Sequence, residues 1–179
     1  MVNHNVNHKT IEIINSLKGK EKIKILFVCL GNICRSPAAE GIMRKLCENL
    51  PTDQQPELDS AGFYGGHAGE LPDSRMRTAA FQRGLRLEHR SRRIRPSDFE
   101  HFDLILGMDD HNISDLHDAA PTLEAEKKIA RMSDLCIHYP EYDYIPDPYY
   151  EGAAGFQLVL NLLEDGCGNL RNLLFGNDD

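Results

Sequence analysis

The sequence contains no tryptophan, and aromatic residues make up only 7% of its 179 residues. No apolar run approaches the roughly 20 residues that span a bilayer. The first residues, MVNHNVNHKT, lack the apolar core of a secretory signal. We therefore expect a cytoplasmic protein that does not associate with membranes.

Cysteine is present in an odd number, as Cys29, Cys34, Cys47, Cys136 and Cys167. An odd count without a secretory signal argues against a disulfide framework. The spacing also lacks the facing CxxC-like pairs of a structural zinc site. The sequence therefore predicts no metal and no cofactor.

Positive charge is scarce overall but concentrated in one half of the chain. The formal net charge is −8, which argues against a nucleic-acid-binding protein. Residues 1–95 nevertheless hold 16 Lys and Arg against 10 Asp and Glu, whereas residues 96–179 hold 4 against 18. This distribution points to a small anionic partner.

Alternating strand and helix patterns predict an α/β fold. Apolar runs indicate strands at 23–28, 57–61, 103–108 and 129–136, and a closing helix over 152–175. Such an alternation implies right-handed crossovers and a sheet covered on both faces. We expect a single-domain three-layer sandwich, with a four-stranded parallel sheet and helices on both faces. Residues 1–22 are predicted to be an N-terminal extension (a helix or an arm) and residues 23–179 the domain.

The segment CLGNICRSP follows the first predicted strand, where parallel sheets bind their ligands. Gly31 and Asn32 tolerate the unusual backbone angles of a loop that wraps an oxyanion. A helix is predicted to open at Pro37, in its first position, and its N-terminus would face the anion.

Two side chains give this loop its chemistry. Arg35 carries a planar fork that matches two phosphate oxygens. Cys29 lies in the positive electrostatic field of Arg35 and the helix N-terminus. It is therefore expected to be a thiolate, to which Ser36 could donate a hydrogen bond. Chance would also produce a Cys-x5-Arg pattern with a buried cysteine and a surface arginine. The preceding strand, the internal Gly-Asn and the following Ser-Pro favour the anion loop.

The segment VCLGNICRSP at 28–37 resembles the signature of the low-molecular-weight protein tyrosine phosphatases, V-C-x-G-N-x-C-R-S-P. Further segments follow in that family's order: DSAG at 59–62, PDSR at 72–75, HRSRR at 89–93, DLILGMDDHN at 103–112 and DPYY at 147–150. The resemblance implies a protein-tyrosine phosphatase that acts on tyrosine-phosphorylated proteins through a phosphocysteine intermediate.

By this resemblance, Cys29 is the nucleophile, Arg35 binds phosphate and Asp147 is the general acid and base. The competing interpretation of Asp147 is a turn former, the commonest role of Asp-Pro. The implied phosphate-binding loop comprises Leu30, Gly31, Asn32, Ile33, Cys34 and Ser36.

Supporting roles are implied for residues outside the loop. Ser60 and His89 match positions that hold the loop Asn, and Asp109 matches an anchor of the loop. The competing interpretations are an exposed helix-end histidine at 89 and a helix cap at 109. Tyr149 and Tyr150 are expected to line the rim of the cleft.

Substrate preference is expected to depend on Ile33, because within the resemblance Ile accompanies phosphotyrosine and Thr accompanies phosphoarginine. Gly66 stands where the family usually has a Trp or Tyr that forms one wall of the cleft. Phe63 and Tyr64 are the candidates to replace that wall.

The family can also join the cysteines at 29 and 34 in a protective disulfide, the alternative being that Cys34 has no role.

Other functions remain open at this point. A phosphoarginine phosphatase or an arsenate reductase would share the fold, although the reductase needs shuttling cysteines and residues 73–100 contain none. A phosphopeptide- or RNA-binding module would use the arginine-rich segment 83–95, but a solvated face is the commoner explanation of such a run. We expect a monomer or a weak dimer.

Overall fold

The computed structural model describes residues 8–176. Its strands are β1 (Lys24–Cys29), β2 (Glu57–Gly62), β3 (Leu104–Gly107) and β4 (Ile129–Arg131). Its α-helices are α1 (His8–Leu17), α2 (Arg35–Cys47), α3 (Ser74–Phe81), α4 (Asp98–His101), α5 (Asp110–Ala119), α6 (Leu123–Glu126) and α7 (Ala153–Phe175). Among the described residues, no helix is both long and apolar enough to cross a membrane.

The four strands form one parallel sheet in the order β2-β1-β3-β4. The chain runs outward from β1 to β2 and then crosses back to β3. The strand order therefore reverses between β1 and β3, and ligands of such sheets bind beyond the carboxyl ends of the strands at this point. Cys29 ends β1 there.

Two apolar layers cover the sheet because successive side chains of β1 point to opposite faces. Ile25 and Phe27 join the larger core, to which α2, α3 and α7 contribute. Leu26 and Val28 join a smaller core that includes Phe99 of α4. The prediction of a parallel sheet with helices on both faces is confirmed.

Two predicted boundaries are wrong. The fourth strand was expected over 129–136 but ends at Arg131, and a 3₁₀ turn occupies Met132–Leu135. Its apolar side chains pack against α7, so the buried run reflects core contact rather than extended structure. The second helix begins at Arg35, two residues before Pro37. A proline is tolerated there because the first N–H groups of a helix lack partners within it.

The predicted N-terminal extension contains the docked helix α1. Ile14 is fully buried, and the Thr10 hydroxyl donates to the Asp134 carboxylate at 2.7 Å. Gly19 follows the helix with φ +78°, an angle that favours glycine. Residues 1–7 of the extension lie outside the described residues.

Helix α7 is continuous although it contains Gly166 and Gly168. A Cβ at Gly166 would lie 2.6 Å from Cε of Met132, whereas a Cβ at Gly168 would meet nothing within 4 Å. Gly166 therefore permits close packing of the turn after β4, and Gly168 has no such role.

We predict that Gly168→Ala raises the free energy of unfolding by about 1 kcal/mol, because alanine is the better helix former. Gly166→Ala is the matched control and should give no such gain, since its methyl group must displace Met132. Urea unfolding curves measure both values. Equal gains in the two variants would contradict the packing role of Gly166.

Candidate active site

The loop between β1 and α2 contains the one described non-glycine residue with a positive φ, Asn32 at 55°. Left-handed backbone costs an ordinary L-residue roughly 1–2 kcal/mol. Asn32 is completely buried. Its side chain must therefore hold this turn in place.

Four hydrogen bonds satisfy the Asn32 amide. Oδ1 accepts from the backbone N–H of Arg92 at 3.0 Å and from Nε2 of His89 at 2.9 Å. Nδ2 donates to the hydroxyls of Ser36 at 2.8 Å and Ser60 at 3.0 Å. A backbone N–H can only donate, so the Arg92 contact fixes which end of the amide is the oxygen.

This orientation determines the direction of the neighbouring hydrogen bonds. Ser36 accepts from Asn32, so its own hydroxyl hydrogen is free to point to Sγ of Cys29, 3.0 Å away. Ser60 likewise donates to Oε1 of Glu40 at 2.9 Å. The Asn32 amide thus aims a hydroxyl donor at the sulfur of Cys29.

Arg35 lies at the start of α2 with its guanidinium almost completely buried. Nη1 donates to Oδ2 of Asp109 at 2.6 Å and to the carbonyl of Ile145 at 3.0 Å. Burial disfavours the charged form, but the neighbouring negative groups, led by Cys29 and Asp109, outweigh it and raise the pKa of Arg35. The guanidinium is permanently charged beside the sulfur.

Asp109 combines the two interpretations that its sequence position left open. Its Oδ1 accepts from the backbone N–H of Asn112 and caps α5, and the Asn112 side chain returns a bond to the Asp109 backbone. Its Oδ2 binds Arg35. One carboxylate therefore starts a helix and positions the buried arginine.

Asp147 faces the same guanidinium from a different segment. Its Oδ2 lies 3.7 Å from Nη2 of Arg35, and its side chain is 45% exposed. Its Oδ1 accepts from the backbone N–H of Tyr149 at 3.0 Å, so the turn-forming interpretation also describes a real contact. The Arg35 bond to the Ile145 carbonyl ties this segment to the loop.

These groups share one cleft of about 390 Å³. It is lined by Cys29, Leu30, Gly31, Ile33, Cys34, Arg35, Tyr64, His67, Asp147, Tyr149 and Tyr150. The two adjacent tyrosines on the Asp147 side meet edge to face, with ring centroids 4.9 Å apart. Asn32, Ser36, Ser60, His89 and Asp109 support the cleft from behind.

Tyr64 supplies a further aromatic wall of the same cleft. A Cβ at Gly66 would lie 2.2 Å from the Tyr64 hydroxyl oxygen, so the bare glycine gives the ring its space. His67 meets the ring edge to face at 5.4 Å. Phe63 instead packs against the smaller core. Of the two candidates from the sequence, Tyr64 is the one in the cleft.

Cys34, the second thiol of the loop, lies in surroundings that disfavour its ionised form. Burial raises the pKa of Cys34, and the negative charges of Asp73 and Cys29 raise it further. Cys34 therefore remains protonated at neutral pH. All five cysteines are free.

Sequence reasoning missed two residues that support the site, Glu40 and Ser91. Glu40 is buried on α2, one turn after Ser36. Its position on the apolar face of the predicted helix could have identified it from the sequence. Ser91 donates to the carbonyl of Gly31 at 3.0 Å. His89 was named from the sequence, and with its side chain 14% exposed and bonded to Asn32 it is a partner of the loop rather than an exposed helix-end residue.

Comparison with known proteins identifies the family. The model of the low molecular weight phosphotyrosine protein phosphatases matches residues 24–177. The chain belongs to this family. A Synechocystis protein assigned to the same phosphatases is 44% identical over 83% of this chain and 94% of its own.

Solved structures of the family are similarly close. The crystal structure of a protein tyrosine phosphatase from Entamoeba histolytica has 44% identity and a TM-score of 0.78, covering 83% of this chain and 94% of that chain. The structure of a Drosophila arginine phosphatase has 33% identity and the same TM-score, covering 87% and 100%. The fold alone therefore does not separate the two substrate classes.

We predict that Asn32→Ala is less stable than Asn32→Gly by about 1 kcal/mol, because glycine adopts the positive φ without strain. Both variants lose the four side-chain bonds and should be less stable than the wild type. Urea unfolding compares the three proteins. An alanine variant as stable as the glycine variant would show that the loop does not depend on this backbone angle.

Proposed function

We propose that the protein is a protein-tyrosine phosphatase that hydrolyses phosphotyrosine through a phosphocysteine intermediate. The observation that carries the proposal is the convergence of Cys29, Arg35 and Asp147 on one cleft, with the ion pair between the latter two at 3.7 Å. A nucleophile, a fixed cation and a partly exposed acid are the three groups that thiol-based phosphoryl transfer needs.

In the first step Cys29 attacks phosphorus and the phosphoryl group leaves the tyrosine oxygen. The sulfur is positioned by β1 and faces the donor hydroxyl of Ser36, which stabilises a thiolate before attack and as a leaving group afterwards. Arg35 and the loop N–H groups stabilise the equatorial oxygens of the transferred group. Because Asp109 and Ile145 hold the guanidinium, little reorganisation is needed during the reaction.

Asp147 is proposed to protonate the leaving phenolate and then to take a proton from the water that hydrolyses the phosphocysteine. Its half-exposed carboxylate reaches solvent on one side and the cleft on the other. General acid–base catalysis of this kind contributes typically 10²–10⁴-fold.

The walls of the cleft support an aryl phosphate as substrate. Tyr64 and Tyr149 flank the opening, and Ile33 offers an apolar surface near the nucleophile. None of these three side chains carries an anion that would pair with the guanidinium of a phosphoarginine substrate, and the carboxylate in the lining, Asp147, already faces Arg35. Phosphotyrosine in a protein or peptide is the substrate class that fits, and the free nucleophilic thiol supports action in the reducing cytoplasm.

The arginine-rich segment does not favour the RNA-binding alternative. Within the described residues, three of its six arginines form ion pairs, Arg83 with Glu164, Arg86 with Glu88, and Arg92 with Asp59 and Asp98, and Arg90 donates to the carbonyl of Gly69. Residues 23–179 are proposed as the phosphatase domain, in line with the family match that begins at residue 24.

We predict that Cys29→Ser and Arg35→Ala abolish hydrolysis of p-nitrophenyl phosphate and of a phosphotyrosyl peptide. Asp147→Ala should lower turnover by 10²–10⁴-fold, most strongly for poor leaving groups. Steady-state kinetics with a series of substituted phenyl phosphates measures this dependence.

The matched control is Cys136→Ser, which removes a buried thiol whose pKa burial raises to about 12. It should retain wild-type turnover. Wild-type-like activity in Cys29→Ser would refute the mechanism, and phosphoarginine hydrolysis faster than phosphotyrosine hydrolysis would refute the substrate class.

We predict that Tyr64→Ala raises the KM for a phosphotyrosyl peptide by about three- to tenfold with little change in kcat, since an aromatic contact contributes roughly 0.5–1.5 kcal/mol. Gly66→Trp alone should also impair binding, because its side chain displaces the Tyr64 ring. The two changes together should partly restore KM by rebuilding the wall from position 66.

The control for this pair is Phe81→Ala, which removes another exposed aromatic side chain, outside the cleft, and should leave KM unchanged. Strictly additive losses in the double variant would contradict the idea that the two positions compete for one space.

A further inference from the structure

Behind the catalytic loop, three potential metal ligands converge from separate parts of the chain. Glu40 lies on α2, Asp59 on β2, and His89 in the segment between α3 and α4. Nδ1 of His89 is 3.3 Å from Oε1 of Glu40 and 3.4 Å from Oδ1 of Asp59. The three ligand atoms all lie within 4.8 Å of one another.

These separations match a zinc ion. Zinc binds nitrogen and oxygen ligands at about 2.0–2.2 Å in a tetrahedron, which places neighbouring ligand atoms about 3.3–3.6 Å apart. The two distances from His89 fall in this range. Imidazole nitrogen and carboxylate oxygen are both ligand types that zinc accepts, and three protein ligands leave the fourth position for water.

The carboxylates are already oriented by their other oxygen atoms. Arg44 donates to Oε2 of Glu40 at 2.7 Å, and Arg92 donates to Oδ2 of Asp59 at 2.9 Å. Ser60 adds one hydrogen bond to each facing oxygen, through its hydroxyl and its amide. Hydrogen bonds of this kind fix ligand geometry in metal sites.

The imidazole is oriented in the same way. Nε2 of His89 donates to Oδ1 of Asn32, and a metal-ligating histidine almost always donates its second N–H to an oxygen. Nδ1 therefore faces the two carboxylates with a fixed ring plane. To bind an ion, Nδ1 releases its proton to solvent and presents its lone pair to the metal.

An open groove gives an ion access to the cluster. It has a volume of about 510 Å³. Its charged lining comprises Glu40, Glu48 and Glu88, the cations Arg44, Lys45 and Arg86, and His89. This groove shares no lining residue with the catalytic cleft. Asp59 is 32% exposed at its side chain.

We propose that Glu40, Asp59 and His89 form a three-ligand site for Zn²⁺, with water in the fourth position. The ion is not part of the proposed reaction, and binding does not depend on catalysis. It would anchor His89, and through Nε2 the Asn32 amide, so the occupied site stabilises the catalytic loop from behind. The proposed role of the ion is therefore to stabilise the loop.

The test uses Cys29→Ser protein, which removes the thiol that would otherwise compete for zinc. Nitrogen NMR of the histidine rings follows titration with zinc chloride. We expect the Nδ1 resonance of His89 to move to a metal-bound position while its Nε2–H signal to Asn32 persists. Once the His89 signals are assigned among those of the eight histidines, zinc bound elsewhere on the chain leaves them in place.

Two isosteric variants in the same background remove the carboxylate ligands singly. Glu40→Gln and Asp59→Asn should each weaken the zinc affinity of His89 at least tenfold, whereas Glu88→Gln in the groove should leave it unchanged. Circular dichroism checks that each variant is folded.

Three results would overturn the proposal: an unaltered His89 spectrum at saturating zinc, loss of the Nε2–H signal with Nε2 as the ligand, or affinities insensitive to both carboxylate variants. The first readout needs no ligand substitution, so it decides the question even if a variant fails to fold. Failure of the phosphatase mechanism would leave this measurement unaffected.

Discussion

The left-handed turn at Asn32 is the constraint on which the site depends. A single buried amide holds a positive φ because the α2 hydroxyl of Ser36, the β2 hydroxyl of Ser60 and the segment at 89–92 all bond to it. That turn brings Cys29 and Arg35 from opposite ends of the loop to one cleft. It also commits the Ser36 hydroxyl to the sulfur. Structural support and activation of the thiol are thus the same set of hydrogen bonds.

The uneven charge of the chain has a structural counterpart. Arg35 from the basic half meets Asp109 and Asp147 from the acidic half. In segment 83–95, Arg83 pairs with Glu164, and Arg92 pairs with Asp59 and Asp98. The cleft retains Arg35 as a fixed cation, although the chain as a whole is acidic. An overall charge of −8 is therefore compatible with a site for a small dianion.

The loop and the sheet could be predicted because their signals are local. Apolar runs identified four parallel strands, and Gly-Asn before Ser-Pro indicated a turn into a helix. The end of the fourth strand was predicted wrongly, because Met132 and Leu135 are apolar for packing on α7, a tertiary cause that a short apolar run cannot reveal. Tyr64 could only be named as one of two candidates, since its place follows from the space that Gly66 leaves. The roles of Asp109 were treated as alternatives, but a carboxylate has two oxygens and each serves one role.

The central claim is that Cys29 itself receives the phosphoryl group. Acid quenching of Asp147→Ala protein during turnover of an aryl phosphate, followed by mass spectrometry of its peptides, tests it directly. Without the residue proposed to activate water, phosphate should accumulate on the peptide that contains Cys29 and should be located on that sulfur. Phosphate on Cys34 or on a histidine, or a protein that turns over substrate with no covalent phosphate at any time, would contradict the account.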